Sequence, residues 1–280
     1  MTFDTPEPIS ATIDVAIGDV RIAARDGDTT IILVRPSDTS SDEDVKAAGQ
    51  TRVEYADEQL LVKAPKPRSW SLRSGGGSID VTIALPTGSR VQGTGQLADF
   101  HGDGRLGDCR ITTGLGRIRL DAVGAVTVRS GTGDISVDRA TGDAEITAGS
   151  GEVRLRALDG SAVIKNANGD TWVGAAARDL RVKAANGSIA VDRAGASVVA
   201  KTANGDVRLG EVVRGSVVLE TRAGDLEVGI REGTAAWLDV SARVGKLHNA
   251  LERSTSPEPS TETIEVRART SVGDIVVRRP

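Results

Sequence analysis

The chain has 280 residues and a formal net charge of −4, so it lacks the strong positive field with which proteins bind nucleic acid. Hydrophobic residues make up 39% of the chain but aromatic residues only 2%, which predicts a core of Val, Ile, Leu and Ala. No stretch approaches the ~18–20 apolar residues of a membrane span, and the N-terminus lacks the basic start and apolar run of a secretory signal. We therefore expect a cytoplasmic protein without membrane insertion.

The first 65 residues are less regular than the rest of the chain. Residues 13–22 read as one β-repeat, and further strand candidates follow at residues 30–34, 53–55 and 60–63. The polar run at residues 36–44 predicts a surface loop, and one helical turn is expected within residues 40–50. We interpret residues 1–65 as an N-terminal cap of strands that is continuous with a β-solenoid over residues 66–280. Repeat arrays need such caps because a bare stacking edge invites polymerisation.

A repeat of about 18 residues dominates the rest of the sequence. Its clearest mark is a glycine before an acidic or small residue and then an apolar one, with spacings of 17, 18, 18, 18, 18 and 19 residues: Gly116, Gly133, Gly151, Gly169, Gly187, Gly205 and Gly224. Weaker members are expected upstream at Gly18, Gly77 and Gly95, and downstream at Gly245 and Gly273. Internal periods of this length indicate a repeat architecture.

Apolar residues alternate with polar ones on both sides of each glycine. After Gly133, for example, Ile135 and Val137 flank Ser136, and before it Val126 and Val128 flank Thr127. A period of two residues is typical of a half-buried strand. Each repeat therefore predicts two short strands and two corners.

A meander of hairpins and a stack of coils would both fit this alternation. The stack is favoured because residue types recur in columns at a fixed offset. Asn168, Asn186 and Asn204 would form an amide ladder in such a stack. We therefore predict an all-β fold, a β-solenoid or single-stranded β-helix with two short strands per coil. A Ser/Pro/Glu loop at residues 253–262 precedes a last repeat, whose tail Arg278-Arg279-Pro280 is expected to blunt the final edge.

Catalytic groups are few in this sequence. His101 and His248 lie far apart in the sequence, and we interpret both as solvated histidines. The alternative for His101 is a pair with Asp99 or Asp103. Cys109 occupies an inward apolar column and reads as a buried, inert thiol. The sequence at 102–107 matches G-x-G-x-x-G but opens no helix. We predict no catalytic residue, no cofactor site and no metal site, and hence no enzyme.

Two features of the repeat admit a binding function. Acidic residues follow the corner glycines in most repeats: Asp134, Glu152, Asp170, Asp206 and Asp225. They indicate either turn-stabilising carboxylates or a calcium-binding β-roll, although each coil offers about one acid rather than a cage of oxygens. Lys165, Lys183 and Lys201 form an outward column extended by Arg181, and Trp172 projects outward from the facing strand. We group the four basic residues and Trp172 as one candidate binding face for an anionic polymer, and the alternative is that the basic column is a solubilising ladder.

Several stretches resemble a bacterial family of β-strand repeat proteins of unknown function, often labelled "putative adhesin". The resemblance rests on Ser78-Ile79-Asp80-Val81, on Leu85-Pro86 with Gly88-Ser89, and on the Asn-Gly-Asp corners at 168–170 and 204–206. The ending at 266–275 resembles the actinobacterial branch. The resemblance covers nearly the whole chain and implies the fold, with no catalytic residues to carry over. The adhesin label implies surface exposure.

We predict a non-enzymatic structural or interaction scaffold, adhesin-like by family label only, that binds a protein partner or itself. The alternative is a module that binds an anionic polymer or saccharide through the lysine column. A carbohydrate-active enzyme of the parallel β-helix type is the least favoured hypothesis, because no cluster of convergent carboxylates is readable.

Overall fold

The structure, a computed structural model, describes residues 1–65, 76–251 and 262–280. It divides into two compact units, Met1–Arg139 and Ala140–Pro280. Apart from Glu262, the predicted Ser/Pro/Glu loop lies outside the described residues. The predicted boundary between a cap and the repeats at residue 65 stays a prediction.

The second unit consists of short strands joined by tight corners. After β11 (Ile135–Ala140), its strands are β12 (Ala144–Ser150), β13 (Val153–Leu158), β14 (Ala162–Asn168), β15 (Thr171–Ala176), β16 (Leu180–Asn186), β17 (Ile189–Ala194), β18 (Val198–Lys201), β19 (Val207–Val212), β20 (Gly215–Ala223), β21 (Leu226–Ile230), β22 (Ala235–Val244), β23 (Leu247–Asn249), β24 (Thr263–Val272) and β25 (Ile275–Arg278).

Strands two apart in the sequence pair in parallel, as a solenoid requires. β12, β14, β16, β18 and β20 form one stack, and β13, β15, β17, β19 and β21 form the other. The register aligns the repeat, so that Ile146 pairs with Ile164 and Ile164 with Val182. The predicted solenoid with two strands per coil is confirmed, and the meander is wrong.

The core of this unit lies between the two stacks. Inward residues such as Ile164, Val182, Val173 and Val191 are at most 2% exposed. Because each stack turns one face to this core, their outward side chains point away from one another. Burial of β-branched side chains between the stacks supplies the main stabilisation.

The Asn-Gly corners stack as the sequence predicted. The Asn186 side-chain amide donates to Asn168 Oδ1 at 2.9 Å, and that of Asn204 to Asn186 Oδ1 at 2.8 Å. At Gly187, φ is +132° and an added Cβ would lie 2.2 Å from the Gly169 carbonyl oxygen. Only glycine allows this conformation and this close approach of successive coils.

The first unit combines parallel coils with antiparallel strands. Its elements are β1 (Thr2–Asp4), β2 (Ser10–Arg25), β3 (Thr29–Pro36), α1 (Asp42–Gln50), β4 (Arg52–Ala56), β5 (Gln59–Lys63), β6 (Ile79–Pro86), β7 (Arg90–Arg105), β8 (Cys109–Leu115), β9 (Ile118–Val123) and β10 (Val126–Thr132). β2 pairs in parallel with β5, β6 and β7, and β8 lies between β7 and β10. β3 runs antiparallel to β1 and β6, and β4 antiparallel to β5.

The predicted helical turn is confirmed and spans nine residues. The Ser41 hydroxyl accepts from the Asp44 amide at the N-cap, a position that favours serine. No helix within the described ranges is long and apolar enough to cross a membrane. Gly77 packs against this helix, because an added Cβ would lie 2.1 Å from the Glu43 carbonyl oxygen. Gly77 is therefore not a corner of the repeat.

The largest fully buried side chain explains two further glycines. An added Cβ at Gly93 would lie 2.6 Å from the Phe100 ring, and one at Gly95 would lie 3.3 Å from it. These glycines make room for an aromatic ring in a core of aliphatic side chains. The prediction that Gly95 is a corner glycine is wrong, whereas Gly18, Gly245 and Gly273 have the positive φ of the corners.

The last repeats of the chain do not stack in the order of the sequence. β24 pairs with β20 on one side and with β22 on the other, and β25 lies between β21 and β23 in the same way. The final repeat of the sequence is therefore an inner coil, and β22 with β23 forms the outer one. We call β22 and β23 the terminal coil. The prediction that the C-terminal tail blunts the edge is wrong: Arg279 Nη1 donates to the Arg231 carbonyl at 2.6 Å instead.

Candidate functional site

The corner acids join successive coils. Three of them place a carboxylate oxygen on a backbone amide of the next coil: Asp170 accepts from Ser188 N at 2.8 Å, Asp206 from Asp225 N at 2.8 Å and Asp225 from Asp274 N at 2.7 Å. Asp274 continues the series by accepting from Lys246 N at 2.8 Å. A charge-assisted hydrogen bond of this kind is stronger than one between neutral groups. The turn-stabilising interpretation of Asp170, Asp206 and Asp225 therefore accounts for their positions.

A column of small polar side chains inside the corners also forms hydrogen bonds to the neighbouring coil. Thr202 Oγ1 donates to the Gly187 carbonyl at 3.1 Å, Thr221 Oγ1 to Gly205 at 3.0 Å and Thr270 Oγ1 to Gly224 at 3.1 Å. Asn166 Nδ2 donates to the carbonyls of Gly151 and Gly169 at 3.0 and 2.9 Å. Buried polar groups need such partners. The polar chemistry of the corners is thus directed at the neighbouring coil.

Within residues 1–65, 76–251 and 262–280, no group of three or more His, Cys, Asp or Glu side chains is placed to hold a metal ion. The corner acids point one after another along the stack rather than converging. Calcium binding needs six to eight oxygens around one ion. The β-roll hypothesis therefore gains no support from the arrangement of Asp170, Asp206 and Asp225.

The thiol and the histidines lie apart from one another. Cys109 is 3% exposed, and burial, with the nearby Asp108 charge, raises its pKa to about 12. Such a thiol is protonated at neutral pH and a poor nucleophile. His101 lies in β7 rather than in a loop, and its Nδ1 is 3.7 Å from Asp19 Oδ2. The conceivable pairs with Asp99 or Asp103 are not the ones formed, since Asp99 binds Arg117 at 3.1 Å.

The predicted basic face lies on the stack of even-numbered strands. Lys165, Lys183 and Lys201 occupy one register position on β14, β16 and β18, and Arg181 lies two residues before Lys183. Lys165, Lys183 and Arg181 are exposed. Lys201 forms an ion pair of 2.7 Å with Glu220, which ends the basic run on that side.

The structure does not bring Trp172 to this face. Trp172 lies on β15 in the other stack, so its outward side points away from the lysines. Its indole Nε1 donates to Asp192 Oδ1 at 3.2 Å, and its ring lies over Gly174. The predicted binding residues therefore form a face of three lysines and Arg181, with Trp172 separate.

The terminal coil is a further candidate surface that the sequence analysis missed. Trp237, Val244 and Leu247 are 57%, 60% and 53% exposed. Leu238 and Val240, which pair with the fully buried Val266 and Ala268 of β24, are only half-buried. One sequence signal could have identified this coil, because Lys246 follows Gly245 where inner coils carry Asp225 and Asp274.

Solved structures that are similar to this chain include three bacterial proteins. A "putative adhesin" from Parabacteroides merdae has 12% identity and a TM-score of 0.42, with 100% of this chain and 95% of the other covered. A "putative adhesin" from Bacteroides fragilis has 15% identity and a TM-score of 0.39, covering 99% and 95%. A "putative cell adhesion protein" from Clostridium sporogenes has 11% identity and a TM-score of 0.28, covering 100% and 98%.

No curated protein matches the sequence. The family model described as Toastrack DUF4097 matches residues 9–278, which is nearly the whole chain and includes the coils of both units. The predicted resemblance to a repeat family of unknown function is thereby confirmed, whereas its actinobacterial branch stays a prediction. The chain belongs to the Toastrack DUF4097 family.

Proposed function

We propose that this protein is a non-enzymatic structural or interaction scaffold that associates with itself. The observation that supports this proposal is the contrast between the inner coils and the terminal coil. Inner coils direct their corner carboxylates and hydroxyls at each other, as Asp225 does toward Asp274. The terminal coil instead exposes Leu247 at 53%, where its partner Ile275 in the inner coil is buried, and leaves Leu238 half-buried. Apolar side chains left exposed at the end of a stack mark an interaction surface.

Sedimentation velocity over a wide concentration range tests this proposal. A self-associating scaffold gives a sedimentation coefficient that rises with concentration as the oligomer forms. A single monomeric species at the highest attainable concentration would contradict the self-association. The experiment needs only the purified full chain, so it is independent of any partner.

A second function, binding of an anionic polymer or saccharide, is supported by the lysine face. Lys165 and Lys183 lie in register on adjacent strands and are exposed, and Arg181 lies beside them. Like charges held this close repel one another, and an anionic ligand would relieve that repulsion. The proposed polymer-binding site consists of this face alone.

Binding to an immobilised sulfated polysaccharide tests this second function. Changing Lys165, Lys183 and Lys201 to Ser is expected to abolish the binding. A control with the same charge change, in which Lys46, Lys63 and Lys246 become Ser, is expected to retain most of it. Equal binding by the two triple variants would show that only net charge matters and would remove the lysine face as a site. Binding that falls steeply with salt is expected for either outcome.

A further inference from the structure

The terminal coil has the side-chain pattern of a coil core but lacks a neighbour on one side. Its strand β22 pairs with β24, and no other described strand pairs with it. Residues at equivalent positions in the inner coils, such as Val217 and Val266, are completely buried. Leu238, in the same column, is half-buried. The terminal coil therefore exposes apolar surface that each inner coil covers with the next coil.

The backbone of β22 also has no partner strand on this side among the described residues. The Ala235 amide donates to the Glu262 carbonyl at 2.9 Å, on the side of β24. Successive residues of a strand direct their backbone groups to alternate sides. The amides and carbonyls of Ala236, Leu238 and Val240 therefore point away from β24. Such an edge is a template for pairing with another strand.

The sequence of the terminal coil disfavours a further coil stacked in the same direction. The inner corners whose bonds are described supply a carboxylate oxygen, or at Ser188 a hydroxyl oxygen, to the following coil, whereas the corner of the terminal coil carries Lys246. The inward position two residues after Leu247 is Asn249, where the inner coil has the buried Val277. A head-to-tail neighbour would therefore lose a hydrogen-bond acceptor and meet a polar inward residue.

The segment that follows the terminal coil is a poor cover for it by composition. Residues 252–261 read Glu-Arg-Ser-Thr-Ser-Pro-Glu-Pro-Ser-Thr, with no aliphatic or aromatic side chain. A second copy of β22 is chemically better suited. Antiparallel pairing about Ser241 places Asp239 of each copy, which already binds Arg269 of its own chain at 3.3 Å, opposite Arg243 of the other copy, and opposite charges across strands stabilise such a pair.

We infer that the terminal coil is the interface of a closed, two-fold dimer, in which β22 of one copy pairs antiparallel with β22 of a second copy. This inference rests on the proposed self-association and names its surface. A two-fold interface uses the same patch on both copies and therefore stops at two. The first unit ends on the edge strands β1 and β4, each paired antiparallel with its one described partner, rather than on a complete parallel coil.

Two variants of the terminal coil test the location of the interface by sedimentation. Val240→Pro removes an edge amide without touching the bonds to β24, and Leu247→Glu adds a charge to a side chain that is 53% exposed. We expect each to weaken the dimer at least about tenfold. The matched control is Leu115→Glu, at an equally exposed leucine whose strand β8 is paired on both sides. We expect it to dimerise as the wild type does.

The outcomes separate the two proposals. If the wild type dimerises and both terminal-coil variants do so equally well, the interface lies elsewhere and only this inference is overturned. A wild type that stays monomeric overturns the self-association as well. If Val240→Pro fails to fold, as judged by circular dichroism, Leu247→Glu decides the matter, because its side chain is already exposed.

Cross-linking distinguishes a closed dimer from an open stack. In the two-fold dimer, Ser241 of one copy lies close to Ser241 of the other, so Ser241→Cys with a short bis-maleimide should give covalent dimers and nothing larger. Arg181→Cys, exposed on an inner strand, should remain monomeric under the same conditions. Cys109 is buried and should not react. A ladder of larger cross-linked species, or no cross-linked dimer, would overturn the two-fold arrangement.

Discussion

The inner coil formed by β24 and β25 and the terminal coil formed by β22 and β23 are adjacent and in register, yet their surroundings differ. Val266 and Ala268 of the inner coil are completely buried, whereas their partners Leu238 and Val240 are half-buried. In both coils, apolar residues that point inward alternate with residues that point outward. The difference teaches that alternation defines which side chains point inward, whereas burial requires a coil on each side.

The polar groups of the two coils follow the same rule. Thr270 and Asp274 of the inner coil bond to the Gly224 carbonyl and the Lys246 amide. The equivalent positions of the terminal coil hold Ala242 and Lys246, which offer neither group. Lys246 therefore offers no carboxylate to a further coil. Ala242 lacks only a bond toward the inner coil, as the inner residues at the same position, Ala148 and Ala184, also do.

The largest difference in the stability cost of a substitution is expected between a glycine of an inner corner and a glycine beside the terminal coil. Gly187→Ala should lower the free energy of unfolding by about 3 kcal/mol or more, because its Cβ would meet the Gly169 carbonyl at 2.2 Å and φ is +132°. Gly233, in the turn that leads to the terminal coil, has φ +77°, but an added Cβ meets no described atom within 4 Å. Gly233→Ala should cost about 1 kcal/mol. Urea denaturation measures both, and equal costs would contradict the close approach of inner coils.

The second largest difference in stability is expected between leucine substitutions in an inner coil and in the terminal coil. Leu219, completely buried in β20, should lose about 3 kcal/mol of stability on substitution by Ala, because the change leaves a cavity. Leu238→Ala in the terminal coil should cost about 1 kcal/mol in the monomer, since its side chain is already half in water. The measurement is thermal or urea unfolding at a concentration too low for association. A Leu238→Ala cost as large as that of Leu219→Ala would mean that the terminal coil is covered in solution.

Substitutions at the small polar position inside the corners should have a smaller effect on stability. Thr270→Ala removes a hydrogen bond to the Gly224 carbonyl and should destabilise the protein by about 1 kcal/mol. Ala242→Thr adds a hydroxyl at the equivalent position, within reach of the Gly273 carbonyl, and should stabilise it by up to about 1 kcal/mol. Denaturation midpoints of the two variants test whether a threonine in the terminal coil forms the same hydrogen bond as in the inner coils. Destabilisation by Ala242→Thr would contradict that equivalence.

The smallest expected effect is a pH dependence at the inner coil. Burial raises the pKa of Glu227, but hydrogen bonds and charges of Arg278 and Arg208 outweigh it and hold the pKa below the ordinary value of 4.5. A carboxyl with a lowered pKa stabilises the fold above its unfolded-state value, and this stabilisation disappears as the pH falls through the folded-state value. Stability should therefore decrease below about pH 4.5, and Glu227→Gln should flatten this part of the profile. An unchanged slope would contradict the role of the Arg278 contact at 2.7 Å.

The sequence predicted the coils well because their signals are local and repeated. The glycine rhythm, the alternation and the amide ladder of Asn168, Asn186 and Asn204 all follow from contacts between equivalent residues of neighbouring repeats. It failed for Gly95, which is not a corner: an added Cβ there would meet the Ala98 and Phe100 side chains of the same strand, β7. It also grouped Trp172 with the lysine face, although outward residues of alternate strands lie on different stacks.

The sequence by itself determined which residues point inward, where the corners lie and that the chain is a solenoid, because an 18-residue coil repeats its environment. Only the tertiary structure decided the order in which the last coils stack. The repeat at residues 263–278 inserts beside β20 and β21, and the earlier β22 and β23 become the outer coil. Local pattern cannot predict this exchange, because every coil pairs in the same way. The one local sign is Lys246, a cation at the corner position where the other coils of the second unit carry an acid or Ser188.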